Sequence, residues 1–202
     1  MQTNIRTGSG QAAQANQMYM VAGISALLYI VVSLAMIAFT DWNNPAAANT
    51  PMIVLGLLGY VAMLPVIVVV CQHLRPASAA LSNIALVAGV LSMIGAATGS
   101  VVGYDTTLGI VGGLFASFGM LVFFGISGYL ALTGRLLPSG WAFLSIVLGI
   151  LAVSAGIISG VAGSNSDITG LAWTAFSLAT IIWAAWTGVE FLRRGRAAST
   201  AG

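Results

Sequence analysis

The sequence predicts an all-α, polytopic membrane protein, with six transmembrane helices in an antiparallel bundle and both termini cytoplasmic. Three observations predict it. Of 202 residues, 59% are hydrophobic and 5% charged, with a mean hydropathy of +1.03, whereas soluble domains carry roughly 25% charged residues. Six apolar runs are each long enough to cross a hydrocarbon core roughly 30 Å thick, which takes ~20 residues of helix. All six arginines fall in segments on one side of those runs, and there is no lysine. Cytoplasmic loops of short-looped membrane proteins carry the excess of basic residues, so this sorting fixes the expected orientation. No run shows the alternating polarity of barrel strands.

Residues 1–17, rich in Gln, Asn, Gly, Ser and Thr, have no apolar periodicity and are expected to form a disordered cytoplasmic tail containing Arg6. The first span runs from Met18 to Thr40. It exceeds the 7–15 apolar residues of a secretory leader, so it is read as a retained helix. Asp41 follows on the outer side. The second span, Pro51 to Cys71, opens with Thr50 as a cap and Pro51 at the first helical position. Pro65 sits mid-helix, where it removes one backbone hydrogen bond and should kink the helix; neighbouring groups must then satisfy the carbonyl it frees.

The third span, Ala79 to Gly103, follows the turn bearing Arg75, and the fourth, Thr106 to Leu132, follows Asp105. The fifth, Trp141 to Gly163, follows Arg135, and the sixth, Ile168 to Leu192, follows Asp167. Asp105 and Asp167 are placed to cap the helices they precede. The order of Arg-bearing turn, helix, Asp-bearing turn and helix occurs twice, compatible with parallel repeats about the membrane normal. Charge sorting alone produces the same alternation. A single transmembrane domain is therefore expected over residues 18–194, with a second disordered cytoplasmic tail over 195–202.

Lipid supplies no hydrophobic drive between helices, so small residues must let backbones approach. Gly95, Gly99 and Gly103 recur every fourth residue in the third span, and Ala152, Gly156 and Gly160 do so in the fifth. Gly109, Gly112 and Gly113 add to the fourth. Both strips are expected to dock tightly against a neighbouring helix or against another subunit, and Gly99→Leu is expected to disrupt folding or assembly.

Polar residues within the spans are few, and such residues are the default functional candidates. Asn83 lies about a turn inside the third span, where it either bonds an adjacent helix or lines a polar path. Glu190 has Arg193 and Arg194 at i+3 and i+4, a favourable order for a local ion pair. His73, the single histidine, is a candidate axial ligand for haem or a pigment; an interfacial histidine facing headgroups is the simpler reading. With Cys71 as its only ligating neighbour it cannot complete a zinc site, which usually needs three or four protein ligands. Cys71, the single cysteine, reads as a small buried apolar residue. Tyr19, Trp42, Tyr104 and Trp141 are expected as interfacial anchors. Trp173, Phe176, Thr180, Trp183, Thr187 and Glu190 share one face of the sixth span, expected to meet core or lipid.

One His, one Cys and four acids divided between opposite membrane faces assemble no nucleophile, base and orienting acid. No catalytic residue or metal site is therefore assigned, and no cofactor position beyond the axial-ligand candidate His73. The glycine-rich segments lack the context of a phosphate-binding loop, and the arginines form no concentrated patch, so neither nucleotide nor nucleic acid is an expected partner.

The segments Ala22-Gly23-Ile24-Ser25-Ala26-Leu27-Leu28-Tyr29 and Leu74-Arg75-Pro76-Ala77-Ser78 resemble a bacterial family of six-helix membrane proteins of unknown function. Basic residues open the first helix in that family, where this chain has Gln17 and Met18. The resemblance implies a multi-pass protein of the bacterial cytoplasmic (inner) membrane and carries over no activity. The leading expectation is a non-catalytic accessory or scaffold subunit, with the lipid bilayer and a homo-oligomer or larger membrane complex as partners. The alternatives are a small transporter or channel for a neutral or apolar solute, and a pigment- or haem-binding subunit.

Overall fold

A computed structural model describes residues 5–39, 50–104, 106–163 and 166–199. Its elements are six helices: α1 (Ile5–Phe39), α2 (Thr50–Leu74), α3 (Ala79–Val102), α4 (Thr107–Gly134), α5 (Ser139–Ala162) and α6 (Asp167–Ser199). Each contains a stretch long and apolar enough to cross a membrane. The outward surface agrees with that solvent, since large apolar side chains such as Val31, Val61, Leu171 and Val161 stand exposed on it. The chain is a multi-pass helical membrane protein.

Both outer helices run further than the sequence predicts. α1 begins at Ile5 and not at Met18, and α6 continues to Ser199 and not to Leu192. Gln and Ala in the N-terminal stretch, and Arg and Ala in the C-terminal one, are strong helix formers, so an apolar run marks where lipid begins and not where the helix does. The expected disordered tails are accordingly helical over residues 5–17 and 195–199.

Hydroxyl side chains cap the starts of α3, α4 and α6. Ser78 Oγ accepts from the Leu81 N–H at 3.4 Å before α3, and Thr106 Oγ1 accepts from the Gly109 N–H at 3.0 Å before α4. Ser166 Oγ accepts from the Thr169 N–H at 3.3 Å at the start of α6, a role the sequence assigns to Asp167. Asp167 instead lies in the first turn, where its negative charge complements the helix dipole. Asp105, the expected cap of α4, lies outside the described residues, as do Asp41 and Trp42. Gly103 is not part of the α3 packing strip. It ends the helix at φ +84°, with its N–H returned to the Gly99 carbonyl at 3.0 Å, a left-handed stop that glycine makes at little steric cost.

Every helix packs against its neighbours in sequence and α1 closes onto α6, so the six form a ring, with α2 also touching α4 across it. The middle of the ring is filled. Met63, Val66, Ile67 and Val70 of α2 meet Phe123 and Phe124 of α4 and Trp183 of α6 in one buried cluster. The rings interlock edge to face, Phe124 to Trp183 at 5.1 Å and Phe123 to Trp183 at 6.3 Å.

Candidate functional site

The largest polar cluster joins four separate elements at the end bearing Arg75 and Arg135. The C-terminal turn of α2 presents His73 there, half-buried. Its Nδ1 lies 2.8 Å from Tyr19 Oη of α1. Its Nε2 lies 3.2 Å from the Leu136 carbonyl in the α4–α5 turn and 3.2 Å from a guanidinium nitrogen of Arg194 on α6. Arg194 also donates to the Leu136 carbonyl at 3.1 Å and through Nε to Glu190 Oε1 at 2.8 Å. Phe191 packs under the group, with ring centroids 5.5 Å from Tyr19 and 6.2 Å from His73.

This arrangement refines three expectations. His73 has a partner at each ring nitrogen, Tyr19 at Nδ1 and the Leu136 carbonyl with Arg194 at Nε2. Glu190 pairs with Arg194, one helical turn on; no such bond joins it to Arg193, which is exposed. Tyr19, expected as an interfacial anchor, is a partner of His73. Nothing in the sequence pairs residues 19, 73, 136 and 194, although the sorting of basic residues puts all four at the same end. Among the described residues no group of three or more His, Cys, Asp or Glu could hold a metal.

Beside this cluster, the turn between α2 and α3 is fixed by Ser82 Oγ donating to the Cys71 carbonyl. Cys71 is buried, as expected of a small apolar residue.

A second polar feature ties α5 to α6. Trp141 Nε1 donates to Thr187 Oγ1 and Trp183 Nε1 donates to Ser145 Oγ, both at 2.8 Å. Each hydroxyl passes its own proton to the carbonyl one turn back, Ser145 to Trp141 at 2.9 Å and Thr187 to Trp183 at 2.7 Å. The result is a reciprocal clasp in which every donor has an acceptor. All four residues are buried, so Trp141 is a core residue and not the interfacial anchor its position suggests. The face of α6 bearing Phe176, Thr180, Trp183 and Thr187 is core. A legible signal existed: Trp141-x-x-x-Ser145 and Trp183-x-x-x-Thr187 have the same spacing on consecutive helices. Among the described residues one buried side-chain polar atom, Ser127 Oγ, has no partner.

The two small-residue strips differ in what they face. A Cβ on Gly95 would stand 2.5 Å from the Gly112 carbonyl oxygen and 2.9 Å from the Ala116 nitrogen, and one on Gly99 would overlap the Tyr104 ring. The α3 strip is therefore engaged within the chain, against α4 and its leading turn. In α5, Ala152 is fully buried, Gly156 abuts the Ser117 hydroxyl of α4, and a Cβ on Gly160 would meet nothing within 4 Å. Gly156 and Gly160 line an open groove of about 240 Å³ with Leu114, Phe118, Ile157 and Val161. A second groove, about 540 Å³, opens between α1 and α2 beside Pro65, with Gln14 and Gln17 at one end and Met18, Leu64 and Val68 along it. Asn83 is exposed on α3 and lines neither groove.

No protein-family model matches the chain, and no curated protein or solved structure matches it either.

Proposed function

We propose that this chain is an antiparallel six-helix protein of the bacterial cytoplasmic membrane with both termini inside. It serves as a non-catalytic accessory or scaffold subunit, assembling laterally with a second copy or a larger membrane complex through the small-residue face of α5. The orientation rests on the sorting of Arg6, Arg75, Arg135, Arg193, Arg194 and Arg196 to one side. The bacterial location rests on the resemblance of the Ala22–Tyr29 and Leu74–Ser78 segments.

The observation that carries the subunit reading is the groove at Gly156 and Gly160. Helices associate in lipid by close van der Waals approach at small residues, and a Cβ on Gly160 would meet no atom of another element within 4 Å among the described residues. The α3 strip offers no such face, because Gly95 and Gly99 are already covered. Transport is the less supported alternative, since the ring is filled by Phe123, Phe124 and Trp183 and Asn83 lines neither groove. Pigment or haem ligation draws no support from a histidine whose two nitrogens are already engaged.

Extraction of the protein from its native membrane into lipid nanodiscs, followed by mass spectrometry of the intact particle, tests the reading. Recovery with a second copy or with stoichiometric partner subunits is expected. Recovery as a lone chain would overturn it.

A further inference from the structure

We infer that His73 is a proton-operated latch between α2 and α6, independent of whether the chain is a subunit of anything larger. The inference rests on one atom. Nε2 stands 3.2 Å from the Leu136 carbonyl, which can only accept, and 3.2 Å from the Arg194 guanidinium, which can only donate. A single ring nitrogen cannot satisfy both at once: a bare Nε2 accepts from Arg194, and an Nε2–H donates to Leu136.

In the neutral ring the charged donor takes precedence. Arg194 donates to the bare Nε2, Nδ1–H donates to Tyr19 Oη, and the Leu136 carbonyl receives the other guanidinium nitrogen at 3.1 Å. Uptake of a proton from the surrounding water places N–H on both ring nitrogens. Nε2–H then donates to Leu136, the bond from Arg194 is lost, and two like charges face each other across the same gap. The bond to Tyr19 is unchanged, so the switch acts at Nε2 alone.

The groups around the ring supply both outcomes. α1 contributes Tyr19, the α4–α5 turn contributes the Leu136 carbonyl beside exposed Arg135, and α6 contributes Arg194 with its counter-ion Glu190. Arg75 lies two residues along the chain, and α3, which packs on α2, carries no titratable side chain. α2 and α6 are not adjacent in the ring, although their side chains share the central buried cluster. Their ends are bridged by the His73–Arg194 bond and the Phe191 ring contact, so breaking the bond lets the last turns of α6 move from α2.

Because the chain has one histidine, imidazole nitrogen-15 spectra of labelled full-length protein in nanodiscs report this ring without assignment. The expected spectrum at about pH 8, above the interval in which histidine charge ordinarily changes, shows a bare Nε2 and a protonated Nδ1; as the pH is lowered both nitrogens become protonated, later than in a free imidazole because burial of the ring and the Arg194 charge oppose its positive form. Spin labels at Ala77→Cys and Arg193→Cys, in a Cys71→Ala background, should show the distance between the two ends lengthening as the ring takes up its proton. That lengthening should vanish in His73→Gln, which keeps a neutral donor and acceptor, and in Arg194→Gln. A protonated Nε2 at the higher pH, ring protonation with no change in distance, or an undiminished change in His73→Gln would each overturn the latch.

Discussion

Two strips of small residues, Gly95-Gly99-Gly103 on α3 and Ala152-Gly156-Gly160 on α5, look equivalent in sequence and end in opposite situations. The first is enclosed: Gly95 lies against the α4 backbone at Gly112, Tyr104 covers Gly99, and Gly103 leaves the helix altogether. The second begins buried at Ala152 and opens outward into a groove, where a Cβ on Gly160 would meet nothing within 4 Å among the described residues. Spacing reveals that a backbone can be approached closely. It does not reveal whether the chain itself makes the approach, because that depends on which helices the ring sets side by side.

The comparison is broken most severely at the enclosed strip. Gly95→Leu forces a side chain into the Gly112 carbonyl, where backbone and not a flexible side chain must yield; overpacking costs about 1–3 kcal/mol or more. Loss of the folded species in detergent size-exclusion and melting experiments is expected. A normal melt would contradict the close approach of α3 to the α4 backbone at Gly112.

Removing a whole ring from the clasp should come close behind. Trp183→Ala deletes a fully buried side chain that touches Phe123, Phe124 and Trp141 and should lower stability by about 3–5 kcal/mol, read as a large drop in melting temperature. Trp141→Phe keeps most of the packing and deletes one donor. Thr187 still reaches the Trp183 carbonyl, so the cost should be no more than about 1–2 kcal/mol, the upper range for a single interhelical hydrogen bond in lipid. A loss as large as that of Trp183→Ala would show that the clasp acts as a unit.

Glu190→Gln removes the partner of a partly exposed i,i+4 pair and should change stability by only about 0.2–0.5 kcal/mol. Its melting curve should lie close to that of the unaltered protein.

The fold was legible because lipid imposes a simple rule: a span must be long, apolar and helical, and the charges must gather at the ends. Six spans follow from Met18 to Leu192 on that rule alone. Helix ends in water obey a different rule, so the extensions to Ile5 and Ser199 followed helix propensity and escaped the apolar pattern. The Ser166 cap of α6 escaped as well, since Ser166 beside Asp167 offers two acceptors and only geometry chooses between them. The contacts were the least legible. Tyr19, His73, Leu136 and Arg194 come from four elements, and the ring closure that brings α1 to α6 is a property of the whole bundle. Trp141 misled for a related reason: an indole near a span end suits the membrane surface equally well until a partner such as Thr187 is placed within 2.8 Å.

The open glycine of α5 carries the central claim, and intact-particle mass spectrometry of Gly160→Leu in native-membrane nanodiscs tests it most directly. A Cβ there meets no atom within 4 Å, so the variant should melt like the unaltered protein while the second copy or partner subunit is lost from the particle. An assembly of unchanged mass, from a variant of unchanged stability, would contradict the account.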